Sequence, residues 1–128
     1  MALFIADTMH DAALAYGAAC TRQSICSAQP ANFAGIAAVS LGSYTLTPGA
    51  GAGDWNALAN GDVSGRKLGI ATQTGNNATA SGTANHIAYD EGVELRMVST
   101  AAAKVVTVSE PFDVTGYNVV EYRDPVAA

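Results

Sequence analysis

Residues 78–98 read ATASGTANHIAYDEGVELRMV. Ala78, Ala80, Gly82, Ala84, His86 and Ala88 share one parity, and Thr79, Ser81, Thr83, Asn85, Ile87 and Tyr89 share the other. Successive residues of a strand point to opposite faces, so this alternation predicts a long β-strand. The first parity is nearly free of large side chains, which lets a second sheet or a stretch of backbone approach that face closely. Asp90-Glu91-Gly92 supplies a turn, with Gly92 able to take a positive φ. Val93 to Val98 then reads as the returning strand, and the hairpin is expected at the centre of the sheet.

Downstream, residues 99–103 (STAAA) read as a turn or short loop. Residues 104–110 (KVVTVSE) read as a β-branched strand whose imperfect alternation suits burial on both sides, ended by Pro111. Residues 112–123 (FDVTGYNVVEYR) supply the last strand or two, with Thr115-Gly116 as a break or bulge. Upstream, residues 66–75 (RKLGIATQTG) read as one strand with Leu68, Ile70 and Thr72 on one face. Residues 48–65 (PGAGAGDWNALANGDVSG) form the main loop, where the alternating Gly49, Gly51 and Gly53 predict mobility. This is not a phosphate loop, because no G-K-[ST] follows. Trp55, the single tryptophan, either plugs the core from this loop or anchors the chain on a partner subunit.

Residues 41–47 and 20–29 read as two further strands, closed by Pro48 and Pro30. Residues 31–40 suit either a turn or two of helix after Asn32 or a packed loop. Residues 1–19 read as an N-terminal arm and a short alanine-rich helix, capped by Asp7 or Thr8. Met9, Ala12, Ala13, Tyr16 and Ala19 keep helical spacing, and Gly17 weakens the helix end. Such a helix needs a packing partner to exist. The sum is about six to eight short strands behind one helix or arm, which predicts a single all-β domain over residues 1–128, a β-sandwich, jelly-roll-like fold or small barrel.

The chain is 49% hydrophobic and 13% charged, against roughly 25% charged for an average soluble domain. Neutral surfaces of small residues are poor at keeping a monomer apart, so partners are expected to cover them. A net charge of −5 argues against direct nucleic-acid binding, which needs Lys and Arg against phosphates. No apolar run reaches the roughly 18–20 residues of a membrane span. MALFIADTMHD lacks the basic start of a signal peptide, so synthesis in a cytoplasm is expected.

The side chains that carry chemistry are scattered. Cys20 and Cys26 do not make a zinc pattern. They are two buried thiols, a short-loop disulfide, whose closure is worth about 2 kcal/mol in the loop-entropy picture, or partners for the cysteines of a neighbouring subunit. His10 and His86 lie far apart, and His86 reads as a hydrogen-bonded sheet histidine. Ser81 and the cysteines lack any nucleophile signature such as G-x-S-x-G. Asp90, Glu91 and Glu94 sit on a turn without the D-x-D-x-D-G spacing of a calcium loop, so a solvated turn is expected. Arg66 and Lys67 open a strand and read as inter-subunit salt-bridge donors or a solvated edge. No enzyme, cofactor or metal is expected from these residues.

Four stretches taken in order carry a resemblance: the helix followed by CTRQSICSAQP (20–30), GDVSGRKL (61–68), ATASGTANHIAYDEGVEL (78–95) and EPFDVTGYNVVEYRDP (110–125). Together they resemble a family of small structural, head-associated proteins encoded among the virion morphogenesis genes of tailed double-stranded DNA bacteriophages. The resemblance implies a non-enzymatic virion protein. The expected role is a capsid decoration (cement) protein that binds the outside of the head as a homo-oligomer and bridges capsomers of the major capsid protein. Many weak contacts at equivalent sites would add up to a strong clamp. Leu3, Phe4 and Ile5 of the arm, Trp55, and the Arg66-Lys67 pair are the expected partner contacts. The alternatives are a neck, collar or tail structural protein and, from another class, a host-surface or carbohydrate-binding module using Tyr44, Trp55, Tyr89, Tyr117 or Tyr122. The expected location is the virion, at the capsid surface or neck.

Overall fold

In a computed structural model, which describes residues 4–125, the chain begins with α1 (Asp7–Ala18) and β1 (Arg22–Cys26). A 3-10 turn (Phe33–Gly35) leads into α2 (Ile36–Val39). The strands then follow as β2 (Ser40–Thr45), β3 (Ala59–Asn60), β4 (Arg66–Ile70), β5 (Gln73–Asn77), β6 (Gly82–Asp90), β7 (Leu95–Val106), β8 (Pro111–Val114) and β9 (Tyr117–Tyr122). The protein is an all-β, sandwich-like domain with a short N-terminal helix, as the strand pattern predicts.

The first layer is an antiparallel sheet in the order β2-β1-β6-β7. The expected hairpin is present as β6 and β7, and Gly92 at its turn has φ 105°. The hairpin does not occupy the centre as a pair: β6 is interior and β7 is an edge. The expected break at residues 99–103 is absent. β7 runs without interruption from Leu95 to Val106, absorbing that stretch and the start of the strand expected at 104–110. It bulges instead. Ala84 is opposite Lys104 and His86 is opposite Thr100, so Ala101–Ala103 face only Asn85 across the pair. Alanines have weak strand preference and no bulk to hold a register, which suits them to the bulge.

The second layer is a bent ribbon. β4 pairs with β9 from Arg66↔Tyr122 to Ile70↔Tyr117, and β5 pairs with β8 from Gln73↔Val114 to Asn77↔Pro111. The strand expected over 66–75 is therefore two strands that bend at Ala71-Thr72, opposite the expected break at Thr115-Gly116. Gly116 N–H donates to Thr72 Oγ1 (2.9 Å) across the bend. A Cβ on Gly116 would lie 2.6 Å from Ile70 O, so only glycine lets the two legs come this close.

Between the layers lie Ile25, Ile87, Tyr89, Tyr44, Trp55, Leu68, Ile70, Phe112 and Val114. Trp55 is fully buried, its ring 5.2 Å from that of Tyr89. Tyr44 meets Phe112 edge to face at 4.9 Å, over Gly42, where a Cβ would strike the Phe112 ring at 2.7 Å. A buried polar chain threads this core: Gln23 Nε2 donates to Tyr89 Oη (3.0 Å), and Tyr89 and Tyr117 hydroxyls pair at 2.7 Å. The opposite face of the first sheet carries Ser24, Cys26 and Ala88, all at most 1% exposed. These small residues let the 33–39 segment lie against the strands, the close approach expected of that parity. Asn32 caps that segment by accepting from Gly35 N–H (2.9 Å).

The 48–65 loop is tied down. Asp54 accepts from Thr47 N–H (2.6 Å) through its carboxylate and from Ala71 N–H (2.8 Å) through its carbonyl, and Asn56 N–H donates to Gly69 O (3.0 Å). At the helix start neither Asp7 nor Thr8 caps: Ala6 is the N-cap and makes no side-chain bond. Asp7 lies in the first turn, where a carboxylate favours the helix dipole.

Candidate functional site

α1 buries the face its alanine spacing does not advertise. His10, Leu14, Gly17 and Ala18 point into the fold, while Met9, Ala12, Ala13 and Tyr16 face outward. This reverses the expected stripe. Leu14 is the largest aliphatic side chain of the helix, and its burial decides the orientation. Gly17 brings the helix backbone onto Met97, where a Cβ would sit 3.1 Å from the thioether sulfur.

Polar ties hold this orientation. His10 Nε2 and Ile5 N–H both reach Asp124 Oδ1 at 3.2 Å, and the His10 ring stacks on Tyr122. Arg66 Nε donates to Asp11 (2.9 Å), and that bond holds the guanidinium above its ordinary pKa. At the far end, Arg96 lies 3.7 Å over the Tyr16 ring and donates to Tyr16 O (2.8 Å). The Tyr16 hydroxyl donates to Glu94, which keeps that carboxyl below the usual glutamate range.

What remains outside is an apolar surface. Phe4 is 75% exposed, Met9 67% and Ile5 37%, and Ala12 and Ala13 continue the stripe. Of the arm's described large side chains, Phe4 is turned outward and Ile5 is about two-thirds covered. Leu3 lies outside the described residues.

The other expected contacts are placed differently. Trp55 is not presented to a partner: it plugs the core, and its indole N–H donates to Cys20 O (3.1 Å). Arg66 is bound to Asp11, and Lys67 Nζ is 2.6 Å from Asp62, whose carboxyl this contact lowers. Both cations are paired with carboxylates of their own chain. Cys20 and Cys26 are free, fully buried thiols, so the disulfide alternative is not formed. Burial pushes the Cys20 thiol up to about 12 and Cys26 to about 11, which removes thiolate reactivity at neutral pH.

The turn carboxylates are not uniformly solvated. Asp90 is 1% exposed and paired with Arg22 (2.8 Å), while Glu91 accepts from Val93 N–H (3.0 Å). His86 Nδ1 pairs with Asn85 Oδ1 (2.6 Å). Among the described residues no group of three His, Cys, Asp or Glu side chains is placed to hold a metal ion. No helix among them is long and apolar enough to cross a membrane.

One feature escaped the sequence. The β7 bulge opens a cleft of about 360 Å³ at the free edge of the sandwich, floored by Ile25, Ile87, Phe112 and Val114, with Lys104 and Asp113 also lining it. The one local signal was the run Ala101–Ala103, which breaks strand alternation just before Lys104. The lining is mainly apolar, with Lys104 and Asp113 as its charged groups. No protein-family model, curated protein or solved structure matches this chain.

Proposed function

We propose that this chain is a non-enzymatic structural protein of a tailed-phage virion. In this reading it is a capsid decoration protein that self-associates and binds the major capsid protein on the outside of the head. The observation that carries the reading is the uncovered apolar stripe of Phe4, Ile5, Met9, Ala12 and Ala13. Met9, Ala12 and Ala13 lie on a helix whose other face is locked to the fold through Leu14, the His10–Asp124 contact and the Arg66–Asp11 pair, and Phe4 and Ile5 lie in the arm that precedes it. A charge-poor chain that holds an apolar surface rigidly outward favours association. Fixing the helix in advance reduces the entropy lost on binding, and repetition over a symmetric shell multiplies each modest contact. A glycan-binding role draws less support, because Tyr44, Trp55 and Tyr89 are turned into the core.

Quantitative mass spectrometry of purified particles tests the proposal. A ratio to the major capsid protein near one, or a simple fraction such as one third, is expected. A total of about a dozen copies, the count of a symmetric ring, would move the protein to the neck, collar or tail. Absence from the particle would overturn the virion reading.

A further inference from the structure

β7 ends the first sheet without a neighbour on its outer side, and Thr100 to Val105 along it are all exposed. A free edge is commonly guarded by charge, but Lys104 is the single charged residue of this run. Beside the edge lies the mainly apolar cleft of about 360 Å³, walled by Ala101, Ala102 and Lys104 of β7 and by Asp113 of β8. Five of the six Lys and Arg side chains are ion-paired within the chain, and Lys104 is the one without such a partner among the described residues.

The arm before α1 carries the matching features. Residues 4–6 have no regular structure, and Ala6 holds the extended φ −55°, ψ 137°. Phe4 is the most exposed aromatic side chain among the described residues. Asp7, also exposed, follows shortly after it. The backbone from Phe4 to Asp7 spans at most about 11 Å, so a Phe4 ring seated in the cleft keeps the Asp7 carboxylate within reach of Lys104. Arm and cleft cannot meet within one chain. Ile5 is tied to Asp124 and the His10 ring to Tyr122, at the end of β9, whereas the cleft is lined by Tyr117 at its start. The length of β9 separates these ends by about 17 Å, and Phe4 stands next to Ile5.

We propose that the cleft seats the arm of a second copy of this chain, with the Phe4 ring in the cleft, the extended backbone along the free β7 edge and Asp7 facing Lys104. An extended segment gains main-chain hydrogen bonds from such an edge, and a side-chain pocket beside it fixes the register. Arm and cleft are different surfaces, so the contact is heterologous and links copies head to tail, closing into a ring where the rotation allows. One aromatic anchor and one ion pair at the rim set a micromolar Kd. The contact rests on the self-association in the proposed function and needs no capsid.

The test is analytical ultracentrifugation of the whole chain and two variants. Phe4→Ser removes the anchor, and Ala102→Glu puts a charge into the cleft at an exposed position. Each is expected to weaken self-association at least tenfold with an unchanged urea midpoint. Mixed in equal amounts, the two variants are expected to form a dimer and nothing larger, because the arm of the Ala102→Glu chain finds the intact cleft of the Phe4→Ser chain. Association lost in Phe4→Ser and kept in Ala102→Glu would put the contact on the exposed helix stripe and overturn the cleft. A mixture that stays monomeric would overturn it too. Should Ala102→Glu lower the urea midpoint, Lys104→Glu takes its place: it is expected to weaken association severalfold and to be restored by adding Asp7→Lys, and no restoration would overturn the pairing. A parent chain that is monomeric at about 1 mM overturns the contact altogether, while the copy number in the particle, measured separately, still decides the virion reading.

Discussion

Trp55 and Phe4 are both aromatic residues in segments without regular structure, yet one is fully buried and the other 75% exposed. The flanks account for the difference. Asp54 and Asn56 tie the Trp55 segment to Thr47, Gly69 and Ala71, and the indole itself bonds to Cys20 O. Beside Phe4, the described tie is Ile5 N–H to Asp124. An aromatic goes inward when polar anchors on either side satisfy the backbone that carries it there. Without them it stays outside, available to another molecule.

Replacing the two residues separates core from contact surface. Trp55→Ala is expected to cost about 3–5 kcal/mol, read as a lower urea midpoint. An unchanged midpoint with lost self-association would reverse the assignment of Trp55 to the core. Gly116→Ala, which forces a Cβ against Ile70 O, is expected to cost about 1–3 kcal/mol in the same measurement.

The buried thiols make a further difference between inside and outside, in alkali. In the unfolded chain they ionise near 9.0, and in the fold only near 12 and 11. Their contribution is complete below pH 9 and is lost as the pH rises through that window. The slope of stability against pH is expected to flatten in a Cys20→Ala/Cys26→Ala variant. The smallest effect on folding is expected at the surface: Phe4→Ser/Met9→Ser changes the urea midpoint by the equivalent of less than about 0.5 kcal/mol. The same variant is expected to shift light-scattering mass toward the monomer. A large stability loss would show that this face packs on its own fold.

Local features of the architecture were readable and distant ones were not. Asp90-Glu91-Gly92 declares its turn because a short acidic stretch ending in glycine needs nothing from elsewhere to bend. Thr115-Gly116 reads as a break for the same reason. The bend at Ala71-Thr72 is invisible, because it exists to match Gly116 on a strand far along the chain. The helix misleads because alanines populate both faces, so that Met9 and Tyr16 outweigh a single Leu14 until a partner surface is known. The arm was legible as an apolar run, and its exposure now stands beside that reading. The cleft beside the β7 bulge was not legible, because it is lined by residues of β1, β6, β7 and β8 that only the fold brings to one place.

The bent ribbon also bears on how the chain finds its fold. The β5–β8 pairing begins at Asn77↔Pro111 and encloses the whole β6–β7 hairpin, whose last pair is Gly82↔Val106. Once that hairpin has zipped, only residues 78–81 and 107–110 separate its open end from the next pair. Closing the short gap costs about 1 kcal/mol less chain entropy than closing the full span of 78–110. The β4–β9 pairs follow in turn across the Gly116 bend. Contacts that look distant in sequence thus become near neighbours once the pair inside them has formed, and the nesting of the strands favours assembly from the β6–β7 hairpin outward.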